Sequence, residues 1–215
     1  ARFAELKEKD LQEDRNQNRS YVDVDKQEAI LVDTHLSAGN VYLVAGDPIK
    51  AEANWLRGIQ ICSGDVTCRQ ALAALYESQK RWRSAATTVS ELVILMPNDL
   101  SLWLQLAGLQ SRLGQLGEAE AAYRRAIAIE PKSASAYVAL LRMSLQVDRV
   151  LPDGVSLARN AVELAPSPDT HVLLSTILEQ SGDREGAFAA IGEALRLAPN
   201  HPQLQKMHQQ LQKNR

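Results

Sequence analysis

One arrangement of residues returns every 34 positions along this chain. Counted from Val32, its units open at Val32, Val66, Leu100, Ala134 and Pro168. The fourth place holds His35, Arg69, Trp103, Tyr137 and His171. The seventh holds Ala38, Leu72, Leu106, Leu140 and Leu174, and the eighth Gly39, Ala73, Ala107, Leu141 and Ser175. A fixed period of this length builds a stack of small units, none of which can bury its apolar face alone. From Leu100 to Pro131, large and small residues alternate around one corner, Gly114-Gln115-Leu116-Gly117. Each unit is therefore expected to be two amphipathic helices facing each other across a tight turn. The eighth place should be small, because the two helices come closest there. Leu141 breaks that rule, so the fourth unit is expected to pack less tightly or differently.

The second helices repeat the logic. Small residues at Ala51, Ala85, Ala119, Gly154 and Ala187 are each followed four places later by a plug: Trp55, Val89, Tyr123, Ala158 and Ile191. In the fourth unit this series runs one residue late, because its corner carries an extra residue. Pro97, Pro131, Pro166 and Pro199 stop the second helices, since proline cannot continue a helix. The boundaries follow. Residues 1–31 read as a charged N-terminal helical arm leading into the array. Five units span 32–65, 66–99, 100–133, 134–167 and 168–200. Residues 201–215 read as a C-terminal capping helix, with Leu204, Met207 and Leu211 on one face. The arm reads either as a leader helix or as a packing arm that joins another copy into a homo-oligomer.

Composition narrows the classes. Hydrophobic residues are 45% of the 215, enough for a packed core, while aromatics are only 5%, and Ala and Leu favour helix. A net charge of −2 gives no bulk attraction for phosphate backbones, which argues against nucleic acid as a partner. No apolar run reaches the ~18 residues of a membrane span. The chain opens on Ala1 rather than Met, which reads as a processed or trimmed start. A Gly-rich phosphate loop, a nucleophile turn, a zinc helix motif and paired carboxylates are all missing. The chain is expected to be non-catalytic, with no cofactor and no metal.

The pattern resembles the tetratricopeptide repeat (TPR) family, most fully in Leu100 to Ser133, through Trp103, Leu106, Ala107, Gly114, Ala119, Tyr123, Ala126 and Pro131. The eleventh place departs from it at Gln110, although Tyr42 and Tyr76 occupy it in the first two units. The resemblance implies an all-α fold: a right-handed α-solenoid of five stacked helix-turn-helix units with a C-terminal capping helix. First helices would line a concave groove that binds a peptide or helix segment of another protein.

On that assumption the groove candidates follow from register. The fifth place gives Leu36, Gln70, Leu104, Val138 and Val172. The ninth adds Asn40 and Arg142, the twelfth Leu43, Glu77, Leu145 and Glu179, and the thirteenth Arg112. An apolar stripe with polar points suits a partner helix or extended peptide; the competing reading is that the fifth places are inner core. Trp103 is expected on the packing side and Leu104 in the groove. Some family members grip a C-terminal carboxylate with Lys and Asn from the first three units. Here Leu36 replaces the first such Lys, which argues against that mode. The function expected is a protein-interaction scaffold. The alternatives are an assembly or regulatory segment of a larger enzyme or membrane-anchored protein, and self-association through the arm.

Cys62 and Cys68 flank the turn between the first two units. They read either as a disulfide or as two small buried hydrophobes. A bridge would place the protein in an oxidising, extracytoplasmic compartment such as a bacterial periplasm, tethered by a missing N-terminal segment, rather than in the cytoplasm.

Overall fold

A computed structural model describes residue 24 and residues 26–213. Residues 1–23 and 25 of the expected N-terminal arm lie outside the described residues, and so does self-association through it. Among the described residues all regular structure is helical. The chain divides into two compact bodies, one ending at Pro97 and the other starting at Asn98.

The N-terminal body contains α1 (residues 26–44), α2 (Pro48–Ile61), α3 (Thr67–Ser78) and α4 (Trp82–Leu95). The C-terminal body contains α5 (Leu100–Arg112), α6 (Leu116–Ile129), α7 (Ala134–Gln146), α8 (Gly154–Leu164), α9 (Pro168–Gln180), α10 (Arg184–Leu197) and α11 (Pro202–Lys213). In the C-terminal body each helix packs on the next, and α7 also touches α5 and α9. The helices α4, α6, α8 and α10 each end two residues before one of the four expected stop prolines. Starts are fixed by side-chain caps: Asp47 accepts from the Lys50 N–H, Asp99 from Ser101 and Leu102, and Asp183 from Gly186. Ser167 and Thr170 close a reciprocal box at α9.

The corners carry the period into the backbone. Gly46, Lys80, Gly114, Asp148 and Gly182 all have positive φ, at 79°, 57°, 74°, 50° and 87°. At each, the residue's own N–H and the next one bond back into the ending helix, as in Gly114 to Ser111 and Gln115 to Gln110. Glycine adopts this conformation without steric cost. Lys80 and Asp148 hold it because the flanking helices leave the chain no other path.

Between the paired helices the core is a series of matched volumes. The small residues Ala51, Ala85, Ala119 and Ala187 are fully buried, as are the plugs Val89, Ala158 and Ile191. Trp55 lies across α1 at Gly39, where an added Cβ would meet the indole at 2.2 Å, and its Nε1 donates to the Leu36 carbonyl. The fourth pair departs from the expected pattern in a compensating way. Leu141 is fully buried, and the plug facing it from α8 is only Ala158, also fully buried. The large residue has changed helix, so the space is filled rather than left loose. At the C-terminal end Leu204 and Leu211 of α11 are buried with α10 residues in one cluster, and Met207 packs on it.

Candidate peptide-binding groove

The first helices of the pairs carry all twelve groove candidates, and none of the twelve is fully buried. In the N-terminal body, Leu36 on α1 is half-buried, Asn40 and Leu43 are exposed, Gln70 on α3 is exposed and Glu77 is half-buried. In the C-terminal body, Leu104, Val138, Leu145 and Val172 are half-buried. Arg112, Arg142 and Glu179 are exposed. Leu104, Val138 and Leu145 rest on one core cluster and Val172 on another. Each therefore buries one side in the core and shows the other to solvent. Trp103 and Leu104 do not divide packing from groove as expected: both are half-buried and lean on the same cluster.

The structure gathers some of these residues and separates others. In the C-terminal body a cleft of about 630 Å³ brings Arg112 at the end of α5 together with Val138 and Arg142 on α7. Its wall also includes Gly108, Ser111 and Tyr123. No Asp or Glu lines it. Leu104, Leu145, Val172 and Glu179 lie outside it; Glu179 lines a smaller recess with Met207 and Leu211 of α11. In the N-terminal body, of the five candidates there, only Leu36 lines the cleft of about 440 Å³ between α1 and the α2–α3 turn. Glu28, Asp33 and Asp65 make that cleft acidic.

Tyr123 is the residue that sequence reasoning placed only in the core. Its side chain is 7% exposed, yet it reaches the cleft through the space that Gly108 leaves: a Cβ built on Gly108 would stand 4.0 Å from Oη. Burial raises its phenol pKa above the usual value, so the hydroxyl stays protonated. A signal for it existed in the sequence. Tyr123 is the one hydroxyl-bearing plug of the five, and Gly108 is the one glycine at a ninth place. Arg142 has a loose partner, its Nη2 standing 3.5 Å from Asp169 Oδ2, with both side chains largely exposed. Contacts this open to water are weak.

The disulfide expectation is corrected. Cys62 and Cys68 are both free thiols. Cys62 caps the end of α2, whereas Cys68 is fully buried in the first turn of α3. The Cys68 sulfur occupies the space over Gly58, where an added Cβ would come within 2.6 Å of it, one helical turn before Cys62. Its N–H donates to Asp65 Oδ2, which caps α3 and fixes the residue there. Burial, with Asp65 nearby, pushes the thiol up to about 12, so this sulfur is a packing group. Without a bridge, the two cysteines give no support for an oxidising compartment. Among the described residues no helix is long and apolar enough to cross a membrane. None of their His, Cys, Asp and Glu side chains gather into a metal-binding group.

Known proteins share this architecture. The family model for the middle TPR-like domain of cilia and flagella-associated protein 70 matches residues 70–200, more than half of the chain. Cellulose synthase operon protein C of Pseudomonas fluorescens (strain SBW25) is 31% identical over 172 residues, which cover 75% of this chain and 13% of that protein. The chain thus spans a small part of that relative's length. Among solved structures, a MamA protein superposes with a TM-score of 0.66 at 17% identity, covering 77% of this chain and 91% of its own. YrrB, a TPR protein with an unusual peptide-binding site, superposes with a TM-score of 0.65 at 15% identity, covering 83% of this chain and 90% of its own. At such identities the likeness is one of fold. The 34-residue step, the helix pairs and the matching family model lead to one assignment: the chain belongs to the tetratricopeptide repeat family, with its all-α solenoid fold.

Proposed function

We propose that this chain is a non-catalytic scaffold that binds a peptide or helix segment of a partner protein along its first helices. The observation that carries this is the half-burial of Leu104, Val138 and Val172. Apolar side chains on neighbouring first helices keep one side open to solvent, beside a cleft rather than beneath a neighbour. Such a surface loses little by covering itself with an apolar or amphipathic segment. In the N-terminal body Leu36, Asn40, Leu43, Gln70 and Glu77 form the corresponding face. The peptide-binding site of YrrB supports the same use of this fold here. A pull-down comparing the native protein with the Leu104→Asp plus Val138→Asp variant tests the reading. Capture should fall at least tenfold while circular dichroism stays helical; undiminished capture by a folded variant rejects the groove.

A second reading has its own support. The relative from Pseudomonas fluorescens is a much longer protein, of which this chain spans 13%. In that reading the array is an assembly segment whose partner is another part of the same polypeptide. The complete reading frame of the gene distinguishes the two.

A further inference from the structure

We infer that the outer face of α1 pairs with α1 of a second copy of this chain, antiparallel about a two-fold axis at Ser37. The inference is independent of the groove reading and uses α1 itself rather than residues 1–23. In later units the third and tenth places of the first helix face the preceding second helix. The Cys68 sulfur lies over Gly58, and Ile177 Cγ2 stands 3.4 Å from a Cβ built on Gly154. Both places are buried in every later unit, from Cys68 and Leu75 in the second to Thr170 and Ile177 in the fifth. On α1 the same places are Thr34 and Val41, and both are exposed, Val41 at 67%. On the same face Ile30 is 66% exposed and Val44 89%.

Ile30, Thr34, Ser37, Val41 and Val44 follow at steps of four, three, four and three, the spacing of a helix that pairs along its length. This stripe is longer than the contact between successive units. Where α1 has Val44, later units have Ser78, Arg112, Gln146 and Gln180, and the place of Ile30 falls between helices in each of them. α1 is already helical at residue 26, whereas α3, α5, α7 and α9 start at the first or second place. A second copy fits because the stripe is self-complementary, as a two-fold interface requires. Reversed about Ser37, Ile30 falls opposite Val44, and Thr34 falls beside Val41, a residue of like shape. The flanks also match. Leu31 meets Ala45, both exposed, and Asp33 meets Asn40 rather than another Asp33. Lys26 of one copy arrives at the corner that carries Asp47 of the other. That carboxylate holds Lys50 at 2.9 Å and would be shared between two cations.

Sedimentation of the full chain over a concentration series tests this. The mass should approach twice the 23.7 kDa of one chain. Val41→Glu with Val44→Glu should raise the dissociation constant at least about tenfold, the scale of one buried apolar side chain, with helicity unchanged. Ile94→Glu, at a residue of α4 that is 78% exposed, should leave the dimer intact. Thiol cross-linking under mild oxidation, in a Cys62→Ser background, reads the orientation without charging the interface. Ile30→Cys mixed with Val44→Cys should link two copies, and neither variant alone should. A mass of one chain at every concentration overturns the inference and leaves the face to another protein or to another part of a longer polypeptide. A dimer that survives Val41→Glu with Val44→Glu, or that Ile94→Glu dissociates, also overturns it. Linking of Ile30→Cys alone, or of Val44→Cys alone, rejects the antiparallel pairing.

Discussion

In the N-terminal body the indole of Trp55 on α2 lies across α1 at Gly39, whereas in the C-terminal body Leu141 on α7 fills the space against Ala158 on α8. Both sites are buried, and the large side chain comes from opposite helices. Volume is therefore conserved for each pair rather than for each position. The two clefts differ in a parallel way. In the acidic cleft of the N-terminal body, Asp65 is already occupied, accepting from the Thr67 hydroxyl and the Cys68 N–H to start α3. In the basic cleft of the C-terminal body, the Tyr123 hydroxyl has no such work inside the fold. Charge alone does not mark a binding site.

The largest expected effect addresses the packing contrast. Trp55→Ala should cost about 3–5 kcal/mol and Leu141→Ala about 2–5 kcal/mol, because each leaves a cavity in a closed interface. If volume belongs to the pair, Leu141→Ala combined with Ala158→Leu should regain at least about 1 kcal/mol over Leu141→Ala alone, a coupling expected of residues in contact. Urea midpoints followed by circular dichroism measure all three. A double variant no better than the single would mean that Leu141 is required by α7 itself.

These pairs also show what could be read from the sequence and what could not. The period, the stop prolines and the small-residue positions were legible because each acts locally or recurs at a fixed step. That Leu141 would be matched by Ala158 was half legible: the anomaly at the eighth place was visible, but its compensation lies on the next helix, one residue out of register. The groove positions could be placed on a helix face, yet which of them are half-buried depends on how closely the neighbouring helices approach. The cysteines looked bridgeable by spacing. Only the space over Gly58 shows where the Cys68 sulfur goes. Tyr123 combines two roles, a core ring and a cleft hydroxyl, and sequence register assigns a residue only one face.

A smaller effect separates the bodies by their ion pairs. In the N-terminal body Glu52 accepts from Arg81 and from the Tyr76 hydroxyl, at 2.6 and 2.9 Å. In the C-terminal body Asp153 takes both ends of the Arg124 guanidinium, at 2.7 and 2.8 Å. The arginine bond is in each case the main reason the carboxyl pKa lies below its usual value. A lowered folded-state pKa stabilises above the unfolded value near 4 and loses that contribution as pH falls through the folded one. Glu52→Gln and Asp153→Asn should each cost up to about 1 kcal/mol at pH 7, limited by solvent screening. The gap from native protein should shrink between about pH 5 and pH 3. Urea midpoints across that range check it; a gap that persists at pH 3 would assign the loss to shape rather than charge.

The smallest effect concerns the corners, where, among the described residues, each body has one non-glycine residue in the left-handed region: Lys80 in the N-terminal body and Asp148 in the C-terminal one. A lysine gains nothing there to offset its steric cost, so Lys80→Gly should stabilise by about 0.5–1 kcal/mol. Asp148 is partly compensated. Aspartate tolerates this conformation better than most residues, and its Oδ1 accepts from Gln180 Nε2 at 3.2 Å. Asp148→Gly should therefore gain less than Lys80→Gly, or nothing. Gly114→Ala, which places a Cβ at a φ of 74°, should lose about 1 kcal/mol. Urea midpoints of the three variants rank them. If Asp148→Gly gained as much as Lys80→Gly, the Gln180 contact would contribute nothing, and the two corners would differ only in their sequence.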